Sequence, residues 1–157
     1  MIKMLHKPKL RLIFSNSKLP LSPLIRFVTW SKWSHVALII NDSQIIESTL
    51  SRGGVKIDTL ENFKSRAKNW AIKEYPCVNP QGIIKYCISQ LNKPYDKTAL
   101  LGIWLHRDWQ EDDAFVCSEV IGVGSVVAFC EYFDSEVMHR ITPQHWWMLY
   151  GTITERG

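Results

Sequence analysis

Hydrophobic and polar positions alternate along the first half of the chain with the period of β-strands, then recur at helical spacing in the second half. Leu10 to Phe14 reads as a first strand. Ser15, Asn16, Ser17, Pro20 and Pro23 then mark a loop entering a short helix through Ile25, Val28 and Thr29, with Ser22 at its cap and Pro23 at its first position. His35 to Ile40, the turn Asn41-Asp42-Ser43 and Gln44 to Thr49 form a hairpin. Gly53-Gly54 leads into a strand from Val55 to Ile57, and Asn69 to Tyr75 reads as another. From Pro80 the period turns helical, because Ile83, Ile84, Cys87, Ile88 and Leu91 recur at spacings of three and four. A second helix is expected around Thr98 to Leu105, and an acidic loop from Arg107 to Ala114. A third helix runs from Cys117 to about Tyr132, and Thr142-Pro143 starts a last short one. This order implies an α+β fold, a mostly antiparallel sheet covered by helices.

At 157 residues, 46% of them hydrophobic, the chain is expected to fold as one domain over residues 1–157, without internal repeats or low-complexity tracts. Lys3, His6, Lys7 and Lys9 interrupt every apolar run before Leu10, so no signal peptide is expected. The longest apolar stretch, Val120 to Cys130, is too short to span a bilayer, which predicts a soluble protein made in the cytoplasm. The 19 basic and 15 acidic side chains leave a formal charge of +4. Much of the excess lies in Lys3, Lys7, Lys9, Arg11, Lys18, Arg26 and Lys32. It is either a solvated edge or a surface for transient contact with an anionic envelope. Basic and aromatic residues do not interleave as on a nucleic-acid platform, so no nucleic-acid partner is expected.

Cys117 carries the most chemical information. A thiol becomes a nucleophile where a base and a positive environment lower its pKa, and a helix N-terminus supplies part of the second. His35, opening a strand, is the candidate base. With a three-residue loop at Asn41-Asp42-Ser43, Ile40 pairs with Gln44, Ala37 lies opposite Glu47, and Glu47 is the diagonal neighbour of His35 on one face. A two-residue loop instead pairs Leu38 with Glu47 and sends the carboxylate to the other face. On the third helix Cys117, Val120 or Ile121, Gly124 and Ala128 share a side. Its small residues are expected to let the helix approach the sheet and bring Cys117 to His35. Glu119 points away from the thiol and suits the helix dipole.

The other candidates carry less. Cys77, Cys87 and Cys130 read as buried small hydrophobes, and with no Cys-x-x-Cys pair or His-rich segment no zinc site is expected. Asp108, Glu111, Asp112 and Asp113 lack the glycine and terminal glutamate of a calcium loop. No metal and no cofactor is therefore expected. His6 and His106 lie outside the candidate site, and His139 or His145 is the alternative to Glu47 as orienting group. Trp30, Trp33, Trp104, Trp109, Trp146 and Trp147 either line a substrate groove, touch a membrane or fill the core, with at least half expected in the core.

Four segments in order resemble the circularly permuted NlpC-type papain-like hydrolases, especially the YiiX-like group. They are Trp33-Ser34-His35-Val36-Ala37-Leu38, Ile46-Glu47-Ser48, Lys93-Pro94-Tyr95-Asp96 and Phe115-Val116-Cys117-Ser118-Glu119-Val120. The likeness runs from about Leu10 to Pro143, and His before Cys matches the permuted branch, which includes the lecithin:retinol acyltransferase-like enzymes. It implies a papain-like fold in which Cys117 attacks a carbonyl, His35 takes and returns the proton, and Glu47 holds the imidazole. It also implies an oxyanion site from backbone N–H groups opening the third helix. The Tyr95 hydroxyl either adds a donor there or belongs to a packed core aromatic. The substrate class implied is an amide in peptidoglycan stem peptides, which without a signal peptide requires dedicated delivery to the envelope. A thiol acyltransferase or lipid hydrolase acting on an acyl substrate, and a binding module without turnover, are the alternatives. The likeness gives no oligomeric state.

Overall fold

The computed structural model describes residues 8–17, 32–49, 52–94, 117–128, 132–134 and 141–157, with only the backbone of 117–119. Among these, six strands and four helices follow in the order β1 (Lys9–Ser17), β2 (His35–Ile39), β3 (Gln44–Thr49), β4 (Gly54–Thr59), α1 (Leu60–Arg66), β5 (Ala67–Pro76), α2 (Pro80–Ser89), α3 (Cys117–Val127), α4 (Pro143–Met148) and β6 (Thr152–Arg156). The strands form one sheet ordered β4-β3-β2-β1-β5-β6, and each neighbouring pair is antiparallel. The α+β expectation holds. The helix expected near Ser22 to Thr29, the one at Thr98 to Leu105 and the loop from Arg107 to Ala114 lie outside the described residues.

Strand alternation divides the core. Leu12, Phe14, Val36, Leu38, Ile46, Val55, Ala71 and Tyr75 face α2, α3 and α4 in the larger cluster, which also takes in Val120, Ile121 and Trp146. Ile13, Ala37, Ile39, Ile45 and Ile72 face the other way and enclose Phe63 of α1. Helix α1 is an element that the sequence pattern does not reveal. Seven residues are too few to display a helical period, and its start is capped by the Thr59 hydroxyl, which accepts from Asn62 N at 3.1 Å. Strand β6 is likewise absent from the expectations, since Thr152 to Arg156 is mostly exposed and shows no apolar alternation.

Two expected features change. Helix α3 stops at Val127 rather than near Tyr132, with the Ala128 carbonyl accepting from the Asn79 side-chain amide at 3.4 Å. Its small residues also serve a contact beyond the one expected. A Cβ on Gly124 would lie 3.1 Å from Tyr86 and 3.4 Å from Cys87 and Ile83, so the glycine lets α3 approach α2, while α3 also packs against β2 and β3. The Cys87 thiol donates to the Val120 carbonyl across that contact, and burial pushes its pKa up to about 12. Cys77 and Cys87 are both buried, as expected of small hydrophobes; Cys130 lies outside the described residues.

Of the described tryptophans in the candidate set, Trp33 and Trp146 are core and Trp147 packs against it, partly buried. Trp33 packs on Phe14 and Trp147, and Trp146 on Tyr75, Tyr132 and Phe133. Lys73 is buried beside Trp147, and its ammonium donates to the Trp147 and Leu149 carbonyls at 2.6 Å each, holding the end of α4 to β5. Of the basic residues near the amino terminus, Lys9 and Arg11 pair with Glu74, and Arg11 also with Asp42.

The end of the sheet that carries the site is closed by backbone. Val55 N donates to the Lys93 carbonyl and Asn92 N to that of Val55, both at 2.9 Å, so residues 92–94 cover the β4 edge. That approach requires Gly54, whose φ is +127° and whose Cβ would meet the Lys93 carbonyl oxygen at 1.8 Å. Gly53 also has positive φ, +76°, but open space around it. Gly54→Ala is expected to cost about 2–4 kcal/mol in urea unfolding, and Gly53→Ala only about 1 kcal/mol. Equal losses would mean that the Lys93 contact does not constrain this edge.

Candidate active site

The β2–β3 hairpin turns on Asn41. Its side-chain oxygen accepts from the backbone of Ser43 at 2.9 Å and of Gln44 at 2.8 Å, closing a three-residue loop. Ile40 N donates to Gln44 O at 3.0 Å, and the pairs Ile39 with Ile45 and Leu38 with Ile46 follow. Continued by one step, this register sets Ala37 against Glu47 with His35 on the diagonal. The two-residue alternative is excluded.

The geometry that results is specific. His35 Nε2 lies 2.8 Å from Glu47 Oε2, and the Glu47 side chain has no exposed surface. Its second oxygen, Oε1, accepts from Arg66 at the last position of α1. Arg66 also reaches Asp58 at 3.0 Å, and Arg52 reaches Asp58 at 2.9 Å and Glu47 at 4.0 Å. The opposite face of the site is aromatic, because the His35 ring stacks on Phe63 with centroids 5.6 Å apart. Phe63 and Arg66 are three residues apart on α1, so one helix face supplies both the platform under the imidazole and the cation on the carboxylate.

Burial, the largest influence on Glu47, pushes its pKa up. The hydrogen bond and charge of His35, with those of Arg66, outweigh it and hold the carboxyl at about 2 against an ordinary 4.5. Glu47 therefore stays ionised at neutral pH. An ionised carboxylate only accepts, so the neutral imidazole carries its proton on Nε2 and keeps its lone pair on Nδ1.

The sequence-predicted residues separate into two groups. His35 and Glu47 are brought together. Cys117 occupies the first position of α3, but its side chain, like that of Glu119, lies outside the described residues, as do Tyr95, His6, His106 and His139. Helix α3 covers the face of Val36 and Leu38, whereas His35 alternates to the face of Ala37. His145, the alternative orienting group, accepts from Thr142 N at 2.9 Å through Nδ1 and caps α4 instead. Burial lowers its pKa. Sequence reasoning missed Arg52, Asp58, Phe63 and Arg66. Thr59, a capping residue with Glu61 two positions on, was the available signal.

Because the Glu47 pKa is depressed on folding, its stabilising contribution is full above about pH 4.5 and is lost as the pH falls towards 2. The shift corresponds to roughly 3 kcal/mol. The thermal midpoint is expected to fall more steeply between pH 5 and 3 in the native protein than in Glu47→Gln, which has no carboxyl to titrate there. Parallel slopes would show that the carboxylate is not held in this way.

No protein-family model matches the chain, and no curated protein matches it. Among solved structures it is similar to the metalloprotein YiiX from Escherichia coli O157:H7, with a TM-score of 0.59 and 22% identity over 78% of this chain and 67% of that one. The likeness is one of fold alone: a YiiX-like α+β arrangement built on an antiparallel sheet.

Proposed function

We propose that this chain is a cysteine hydrolase of the amidase or endopeptidase type, with Cys117 as nucleophile, His35 as base and Glu47 as the group that orients His35. The observation that carries it is the hydrogen bond between His35 Nε2 and the fully buried Glu47 carboxylate, with Cys117 opening a helix elsewhere in the fold. A carboxylate kept ionised out of water beside an imidazole fixes its tautomer and stabilises the imidazolium formed when the base takes a proton.

In this proposal the Cys117 proton passes to His35 Nδ1, and the thiolate attacks the amide carbonyl carbon. The tetrahedral oxyanion is met by N–H groups opening α3, and by Tyr95 if its hydroxyl faces the site. The C–N bond breaks as Nδ1–H protonates the leaving amine, and water, deprotonated by the same nitrogen, releases the acyl group. Since α3 lies on the opposite face from His35, the thiol must meet the ring around the end of β2, where His35 is the first residue.

The substrate class proposed is the amide of a peptidoglycan stem peptide, reached through dedicated delivery to the envelope. Among the described residues, no helix is long and apolar enough to cross a membrane. The lipid alternative asks for tryptophans lining an acyl tunnel, whereas Trp33, Trp146 and Trp147 fill their space against other aromatic rings. YiiX is described as a metalloprotein. Here the described residues hold no group of three His, Cys, Asp or Glu side chains, and arginines occupy both carboxylates near His35. That donor set does not fit a cation, and no step is assigned to one.

The rate of thiol alkylation, followed per cysteine from pH 5 to 9, tests the pair. Cys117 is expected to react rapidly below pH 7 and to lose about 10- to 100-fold at pH 6 in His35→Ala, while buried Cys77 and Cys87 stay slow in both. Native protein should then cleave cell-wall stem peptides and Cys117→Ala should not. Equal labelling of Cys117 in the native protein and His35→Ala would remove the catalytic assignment in favour of a binding module.

A further inference from the structure

Glu47 faces more than His35. Its surroundings include Arg66 from α1, Arg52 from the turn before β4, and Asp58 and the cross-strand Lys56 from β4. Lys56 is turned to Asn92, which its ammonium meets at 2.5 Å. Asp58 does not touch His35. Its Oδ1 accepts from Thr59 N at 2.8 Å and from Asn62 at 3.1 Å, and its Oδ2 takes both guanidinium groups. The arrangement is a chain, from the α1 cap through Asp58 and Arg66 to one oxygen of Glu47, with His35 on the other oxygen.

A carboxylate held at one oxygen pivots about that bond, whereas one held at both oxygens by partners on different elements does not. His35 provides one hold from β2 and Arg66 the second from α1. The two carboxylates and two guanidinium groups balance in charge, so the cluster confers no net attraction for an anion or a cation. Its effect is local, a fixed oxygen and a close counter-charge on Glu47.

We propose that Arg66, braced by Asp58, is a positioning residue that fixes the Glu47 carboxylate at His35 Nε2 and acts on the nucleophile only through Glu47. This rests on the Cys117–His35–Glu47 reading above and names the part that keeps it aligned. Neither Arg66 nor Asp58 touches substrate in this scheme, and Arg66 stays more than a third exposed, as a brace behind the reacting edge permits. Without Arg66 the buried carboxylate keeps His35 and only the more distant Arg52, its ionised form loses its close counter-charge, and its hold on the imidazolium loosens.

The decisive measurement is the pH profile of Cys117 alkylation in native protein, Arg66→Met, Arg66→Lys, Glu47→Gln and the Arg66→Met/Glu47→Gln double variant. Arg66→Met is expected to move the half-maximal rate up by about one pH unit, as Glu47→Gln does, with Arg66→Lys recovering most of the shift. The double variant should match Glu47→Gln alone, because a residue acting through Glu47 has nothing left to position. An unchanged profile in Arg66→Met, or additive shifts in the double variant, overturns the proposal. Should Arg66→Met fail to fold, Asp58→Asn removes the brace while leaving both arginines. It should shift the profile the same way, by less, and no shift there overturns the proposal too. His35→Ala separates the two levels: a native-like profile in that variant sinks the Cys-His reading and this inference with it. Loss of the profile in His35→Ala with none in Arg66→Met sinks the inference alone.

Discussion

A carboxylate with no exposed surface constrains everything near it. Removing Glu47 from water is costly unless its oxygens find charged or hydrogen-bonding partners, and here they come from different parts of the chain. His35 comes from β2 and Arg66 from α1, so the hairpin register, the β3–β4 pairing and the placement of α1 must all be right together. A slip of one residue in β3 would turn Glu47 into the aromatic face of the sheet, where Phe14 and Trp146 leave it no partner. The same interaction that makes Glu47 tolerable in the interior is the one that aims it at an imidazole.

The sheet divides its labour between two faces. The face towards α2, α3 and α4 carries the larger apolar cluster, sealed by edge-to-face aromatics and by Lys73 tied to the carbonyls at the end of α4. The other face carries a small cluster around Phe63 and, at its end, the polar site. The larger apolar core and the His35–Glu47 pair thus lie on different sides of the same strands. Alternation along β2 makes this possible, because Val36 and Leu38 serve the core while His35 remains available to Glu47.

Helix α1 shows why short elements matter to the site. Phe63 supports the imidazole plane and Arg66 the carboxylate, from positions three apart on one turn. Neither side chain needs to approach a substrate for the arrangement to work. Such supporting groups are where geometry is set, since an imidazole held within a narrow range of angles transfers protons far better than one that rotates freely.

The strands from Lys9 to Pro76, helix α2 and the His35–Glu47 diagonal were legible in the sequence, because local rules govern them. Period-two and period-3.6 patterns mark elements, and Asn41 marks a three-residue turn through its own side chain. What the sequence by itself determined is therefore the order of the longer elements, a consequence of contacts between near neighbours, together with two possible hairpin registers of which the structure selects the three-residue loop. The tertiary structure decided which face α3 covers, that its small residues serve α2, and that Arg52, Asp58, Phe63 and Arg66 enclose the candidate pair. Those contacts join groups whose partners are chosen by burial and charge balance in three dimensions. Helical or strand periodicity records which side of an element is apolar, but not which neighbour will meet it.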